Sequence, residues 1–200
     1  RPLLWKNRDT DFMRNHVDYV KGEKYDFIAV VNSANAYLKE AWMGTNSAGF
    51  ALMNTQSYNL VDVKGDEERG AANGRVIYRA LEVCATVEDF CHFLDTISKP
   101  SDIEANFGVI DAQGGAAMFE VDYYKYVMYD ANNPKDAPYG YIARTNFSFA
   151  GKVNEGAGYV RYMEADQVLM KASATGNITP QFIFNDLSRS FRNRMLDIDL

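Results

Sequence analysis

Cysteine, histidine and proline are scarce in this chain of 200 residues, which holds two, two and five of them. Cys84 and Cys91 lie seven positions apart in a helical pattern. On a continuous helix that spacing is about 10 Å, beyond the reach of a disulfide, so the redox compartment stays open. His16 and His92 are far apart in sequence, and neither CxxC nor HExxH spacing occurs. No metal or organic cofactor is therefore expected. Long apolar runs are also missing. Stretches such as Phe27 to Val31 fall far short of the roughly 20 residues that cross a bilayer, so no membrane partner is expected. Basic runs are absent too: Arg189, Arg192 and Arg194 come closest, and they sit among acids in a chain of net charge −6 and pI near 5.0. That balance argues against nucleic acid as a ligand. No leader peptide is visible, yet the chain opens inside what reads as a strand. The expectation is one domain over residues 1–200, truncated at the N-terminus and at the C-terminus, with a secreted or periplasmic location favoured over a cytoplasmic one.

What the chain has in quantity is apolar and aromatic surface, 47% and 14% of residues, enough for a packed core. Leu3 to Lys6 reads as a strand and Thr10 to Glu23 as a loop or short helix. Tyr25 to Val31 reads as a strand buried on both faces, and Met43 to Tyr58 as two strands joined by a tight turn rich in Gly, Asn and Ser. After a charged loop from Lys64 to Gly74, apolar residues recur at helical steps from Val76 to Cys84. Thr86 then caps a second helix whose stripe is Val87, Phe90, Cys91, Leu94 and Ile97. Strands follow over 106–111, 117–122, 124–130 and 140–145. A helix over 159–173 carries Val160, Met163, Ala165, Val168 and Leu169, and Thr179-Pro180 opens another. Hairpin-linked strands with segregated helices give an α+β layered sandwich.

Charge is concentrated at one unexpected place. The apolar strand at the start runs into Lys6-Asn7-Arg8-Asp9. Charges cluster at a strand end when they face a ligand, a partner or each other. A surface ion pair between Lys6 and Asp9 is the plain alternative. Asn54 and Asn146 fall in strand-rich segments, where amides are ordinarily satisfied by neighbours. Arg8 and Arg144 suit contacts to substrate carboxylate or amine groups, or structural pairing, and Arg161 is similar. His16 and His92 carry no catalytic expectation. Tyr123 to Tyr129 reads as strand packing beside a pocket.

Three segments in order give these residues a shared meaning. Lys6-Asn7-Arg8-Asp9 closes a strand; Gly44-Thr45-Asn46-Ser47-Ala48-Gly49 forms a hairpin leading to Asn54; Thr145-Asn146 ends a later strand. Phe107 to Ala112 with Phe119 to Val121 add paired central strands. Together these resemble the N-terminal-nucleophile (Ntn) hydrolases of the choloylglycine hydrolase and penicillin V acylase group, and the related acyl-CoA:6-aminopenicillanic acid acyltransferase-like proteins. The resemblance runs from residue 3 to about residue 170.

It implies a four-layer αββα sandwich, incomplete here, and a cysteine amidohydrolase or acyltransferase acting on a linear amide of a small molecule through an acyl-enzyme. It implies that Lys6 lies beside the thiolate, that Asp9 orients the nucleophile's α-amino group, that Asn54 is an oxyanion donor near the carbonyl under attack, and that Asn146 is a second donor or an orienter of the nucleophile's amine. Relatives are often homo-oligomers. The nucleophile of that group is an N-terminal Cys, whereas this chain opens on Arg1-Pro2. Either the nucleophile strand lies outside these residues, or it is a separate chain made by processing, or the protein is a non-catalytic binding or structural relative. An unrelated α+β module with chance matches is the remaining alternative.

Overall fold

The computed structural model describes residues 2–8, 10–34, 36–61, 70–153, 156–189, 192–193 and 198–199. Its centre is a seven-stranded sheet in which every strand pairs antiparallel with its neighbour in chain order. The strands are β1 (Asn15–Val20), β2 (Phe27–Asn32), β3 (Met43–Asn46) and β4 (Ala51–Gln56), then β5 (Ala105–Ile110), β6 (Ala116–Val121) and β7 (Tyr126–Asp130). Helices α1 (Asn73–Val83) and α2 (Val87–Thr96) fall between β4 and β5, and α3 (Ala157–Ala174) and α4 (Pro180–Asn185) follow β7. A two-stranded ribbon, β8 (Arg192–Asn193) with β9 (Ile198–Asp199), completes the described elements.

Strand periodicity sorts the central side chains to two faces. Leu52, Val109 and Ala117 stand in one cross-strand row, with Phe107 and Phe119 in the next. All five are buried in one cluster with Ile77, Leu81, Phe90 and Leu94 of the helical pair. Phe90 is the hub, its ring centroid 5.0 Å from Phe119, 5.8 Å from Phe107 and 6.2 Å from Phe50. The expected cap is present as a full capping box: Thr86 accepts from Asp89 N at 3.0 Å and Asp89 accepts from Thr86 N at 3.1 Å. The opposite face carries Met53, Gly108 and Met118 in one row and Thr55, Asn106 and Glu120 in the next. Most of the site is built on this second face; Asn54, opposite Phe107, falls in the register of the first.

The α+β class stands, and several local expectations change. Leu3–Lys6 and Gly140–Thr145 are not strands; neither has a strand beside it among the described residues, and both lie over the second face of the sheet instead. Within the segment read as loop or helix lies β1, whose polar sequence suits an edge position. Of β2, Phe27, Ala29 and Val31 are buried while Ile28 is 46% exposed beside Tyr19 of β1, so one face rather than two is covered. On α3 the buried positions include Gly158, Ala165, Leu169 and Ala172, and Met163 turns outward. Most of the loop expected before Gly74 lies outside the described residues, and α1 begins at Asn73.

Replacing Phe90 with Ala removes the ring on which four others, Phe50, Phe93, Phe107 and Phe119, pack. Urea denaturation is expected to show a loss of about 3–5 kcal/mol; a loss below about 1 kcal/mol would show that the core does not centre on Phe90.

Candidate active site

A cavity of about 720 Å³ separates the second face of the sheet from a roof made by residues 2–7, 140–146, α3 and α4. Its walls are mostly apolar, with Leu4, Met53, Ile110, Met118, Leu169 and Ile183 among them. Polar groups gather where Lys6, Asn54, Thr55, Asn106, Asn146 and Arg161 line it.

Lys6 reaches the sheet where a ladder ends. β3 pairs with β4 only as far as Met43 opposite Met53, so Asn54 to Gln56 have no β3 partner. Into that gap Lys6 Nζ donates to Asn54 Oδ1 at 2.9 Å and to the Trp42 carbonyl at 3.1 Å. Burial pushes the Lys6 ammonium down to about 7, with the positive charge of Arg8 adding to the effect. An ammonium can only donate, so Asn54 must present its oxygen to Lys6 and its nitrogen elsewhere. A Cβ at Gly108 would stand 2.9 Å from Leu4 Cδ1 and from Met53 Cε, so a larger residue would push these side-chain ends aside where the first segment settles onto β5.

Asn146 enters from the opposite side. Its Nδ2 donates to the Gln56 carbonyl at 2.9 Å and lies 3.4 Å from Thr55 Oγ1; its own carbonyl accepts from Tyr58 N at 3.0 Å. Arg161 of α3 donates to its Oδ1. Asn146 is thus tied to the residues directly after Asn54. Both flanks of Asn146 are fixed by Glu120 of β6, which has no exposed surface. Glu120 Oε1 accepts from Arg144 Nε at 2.5 Å and Phe149 N at 3.0 Å, and Oε2 accepts from Ala150 N at 2.6 Å. Asn106 adds a second anchor, donating to the carbonyls of Thr145 at 2.9 Å and Phe147 at 3.2 Å while accepting from Ser148 Oγ at 2.6 Å.

Lys6, Asn54 and Asn146 all line one cavity; Lys6 bonds Asn54, Asn146 bonds Thr55 and Gln56, and among the described residues no hydrogen bond joins Asn146 to either of the other two. Asp9 lies outside the described residues. Arg144 lines the cavity, but its guanidinium is committed to Glu120 and to the Ala143 carbonyl and is stacked over Tyr129 and Phe149. That is the structural pairing rather than a substrate contact. Arg8 does not line the cavity; it donates to Asn15 Oδ1 at 2.5 Å and Asn32 Oδ1 at 2.7 Å, over the Trp42 ring. Burial lowers its pKa. The Thr145-Asn146 pair ends no strand; side-chain anchors hold it instead. Neither cysteine lines the cavity: Cys84 is buried under the helical pair with its thiol pushed up to about 12, chiefly by burial, and burial also raises Cys91. Sequence reasoning passed over Glu120 and Asn106. A carboxylate inside Ala-Ala-Met-Phe-Glu-Val is a legible signal, since such a group needs partners. Among the described residues no cluster could hold a metal ion, and no helix is long and apolar enough to cross a membrane.

A sequence model of the acyl-coenzyme A:6-aminopenicillanic acid acyl-transferase family matches residues 2–182. No curated protein sequence matches the chain. Among solved structures, a variant of conjugated bile acid hydrolase from Clostridium perfringens is similar with a TM-score of 0.51 at 14% identity, covering 90% of this chain and 70% of that one. A second variant of that hydrolase gives 0.45 at 15%, covering 94% and 65%. Penicillin V acylase from Agrobacterium tumefaciens gives 0.42 at 18%, covering 87% and 52%. The first of these shows a shared fold; of the expected four layers, the described residues form one seven-stranded sheet with helices and a two-stranded ribbon. The chain spans between 52% and 70% of the lengths of these neighbours.

Two measurements check this geometry. Between pH 7 and the ordinary lysine value of 10.5 the unfolded chain holds the Lys6 proton that the folded chain has released, so stability rises with pH across that window. Urea midpoints at pH 6.5 and 9.5 should show wild type gaining on Lys6→Met as pH rises; a constant gap would contradict the burial of Lys6. Glu120→Ala strands Arg144 and two backbone amides, and should cost about 3–5 kcal/mol; a loss under 1 kcal/mol would remove Glu120 as the anchor of the Asn146 loop.

Proposed function

The chain belongs to the acyl-coenzyme A:6-aminopenicillanic acid acyl-transferase family, and from that premise we propose that it forms most of the active site of an enzyme that hydrolyses a linear amide or transfers its acyl group. The observation that supports this reading is that Lys6, bonded to Asn54, and Asn146, bonded to the neighbouring Gln56 carbonyl, line one apolar cavity. The nucleophile is the thiol of an N-terminal Cys on a strand that these 200 residues do not supply, since Cys84 and Cys91 both lie away from the cavity.

In this reading the thiolate forms beside Lys6. A neighbouring anion raises the ammonium's pKa from about 7, and the ammonium lowers that of the thiol by the same coupling. Lys6 is thus charged when the thiolate is present. The thiolate attacks the amide carbonyl, the α-amino group passes its proton to the departing amine, and a thioester remains for water or a second amine to resolve. Amide N–H groups of Asn54 and Asn146 are suited to hold the developing oxyanion. The role given to Asp9, orienting the α-amino group, rests on the sequence motif alone. Apolar walls favour an apolar acyl group.

A binding protein on the same fold is the second reading. It is favoured by the engagement of Asn146 Nδ2 with the Gln56 carbonyl, which commits one of the amide's two N–H groups to β4.

The test uses the full-length gene product. Intact-mass analysis should give a mature N-terminal Cys, and turnover of a panel of N-acyl amides should be abolished by thiol alkylation. Asn146→Ala should slow acylation by about 10²–10³-fold. A different mature N-terminus, or turnover indifferent to alkylation, overturns the enzyme reading; saturable binding without turnover assigns the protein to the second.

A further inference from the structure

The amide of an asparagine is nearly symmetric in shape and opposite in function at its two ends: the oxygen accepts, the nitrogen donates. For Asn146 to stabilise a carbonyl oxygen it must present nitrogen, and something must prevent the half-turn that would present oxygen. Two contacts do so. The guanidinium of Arg161 can only donate, and it holds Oδ1 toward α3. The Gln56 carbonyl can only accept, and at 2.9 Å it holds Nδ2 toward β4. A serine or glutamine in place of Arg161 would tolerate either orientation.

The helix is set for this contact. Gly158, in the first turn of α3, packs so close to Asn146 that a Cβ would stand 2.7 Å from the Asn146 carbonyl oxygen. Thr145 Oγ1 donates to the Gly158 carbonyl at 2.5 Å. Arg161 follows three residues later on the same side of the helix, as helical spacing requires. It lines the cavity, and among the described residues it forms no ion pair with a carboxylate, unlike Arg144. One Nδ2 hydrogen is engaged by Gln56. The other faces only Thr55 Oγ1, at a long 3.4 Å, and is the one a substrate oxygen can claim.

We propose that Arg161 is the positioning residue of the site, locking the Asn146 amide with one N–H free to move from Thr55 to the substrate carbonyl oxygen. This rests on the function proposed above. The test is a cycle of Arg161→Met, Asn146→Ala and the double variant in the full-length enzyme, with Arg161→Lys as rescue and ¹⁵N-resolved side-chain amide spectra as a readout independent of turnover. Arg161→Met should lower kcat by about 10²-fold, approaching Asn146→Ala, with KM changed less than about threefold. The double variant should be no slower than Asn146→Ala alone, because the two act as a unit. Arg161→Lys, which still donates, should recover kcat to within about tenfold of wild type. The Asn146 amide protons should shift and exchange faster in Arg161→Met while the remaining spectrum shows a folded chain.

Multiplying effects in the cycle, a kcat for Arg161→Met within twofold of wild type, or unmoved Asn146 resonances would each overturn the proposal. If turnover or its dependence on Asn146 is missing altogether, the enzyme reading fails. The side-chain spectra then still decide whether Arg161 orients the amide.

Discussion

Glu120 has no contact with solvent, and the placement of Asn146 follows from how its carboxylate is satisfied. A buried charge without partners costs several kcal/mol, so both oxygens must be filled. The chain fills them from one loop, taking Arg144 on one side of Asn146 and the Phe149 and Ala150 amides on the other. Between those pins the backbone has little choice of path, and Asn106 with Ser148 removes what remains. An irregular segment is thereby held almost as firmly as a strand. The guanidinium that completes the set lies between two aromatic rings, which adds dispersion and cation–π attraction to the ionic term.

The opposite wall of the site depends on a different constraint. Lys6 is taken out of water at the end of the β3–β4 ladder, and its charge is held there by two neutral oxygens. Neutral acceptors compensate burial only in part, hence its lowered affinity for a proton. Gly108 leaves room beside it for the Leu4 side chain.

The helical pair and most of the sheet were legible in the sequence because their signals are local: a capping box at Thr86, a three-and-four repeat through Ile77 and Leu81, glycine at the hairpin turn where Gly49 has φ of +82°. The two false strands failed for a non-local reason. Leu3–Lys6 and residues 140–145 have the apolar content of strands, but they satisfy it against the cavity walls and not in a ladder. β1 was hidden by its polarity, which reflects an edge position that no short window reveals. At the site, Lys6, Asn54 and Asn146 were reached through their ordered motifs; nothing in the local composition distinguishes Asn146 from a turn residue. Arg144 illustrates the converse. Its type suited a ligand contact, but its partner Glu120 stands 24 residues earlier, and only the fold brings the pair together.

The cavity's floor and roof differ in kind. β5 shares ladders with β4 and β6, so displacing Asn106 or Gly108 breaks both at once. Trp5, Tyr141 and Ala143 belong to no ladder and are held by side-chain packing against the cluster of Leu169, Ala172, Phe182, Ile183 and Leu187. Local opening free energies follow such differences, so the roof breathes long before the floor does.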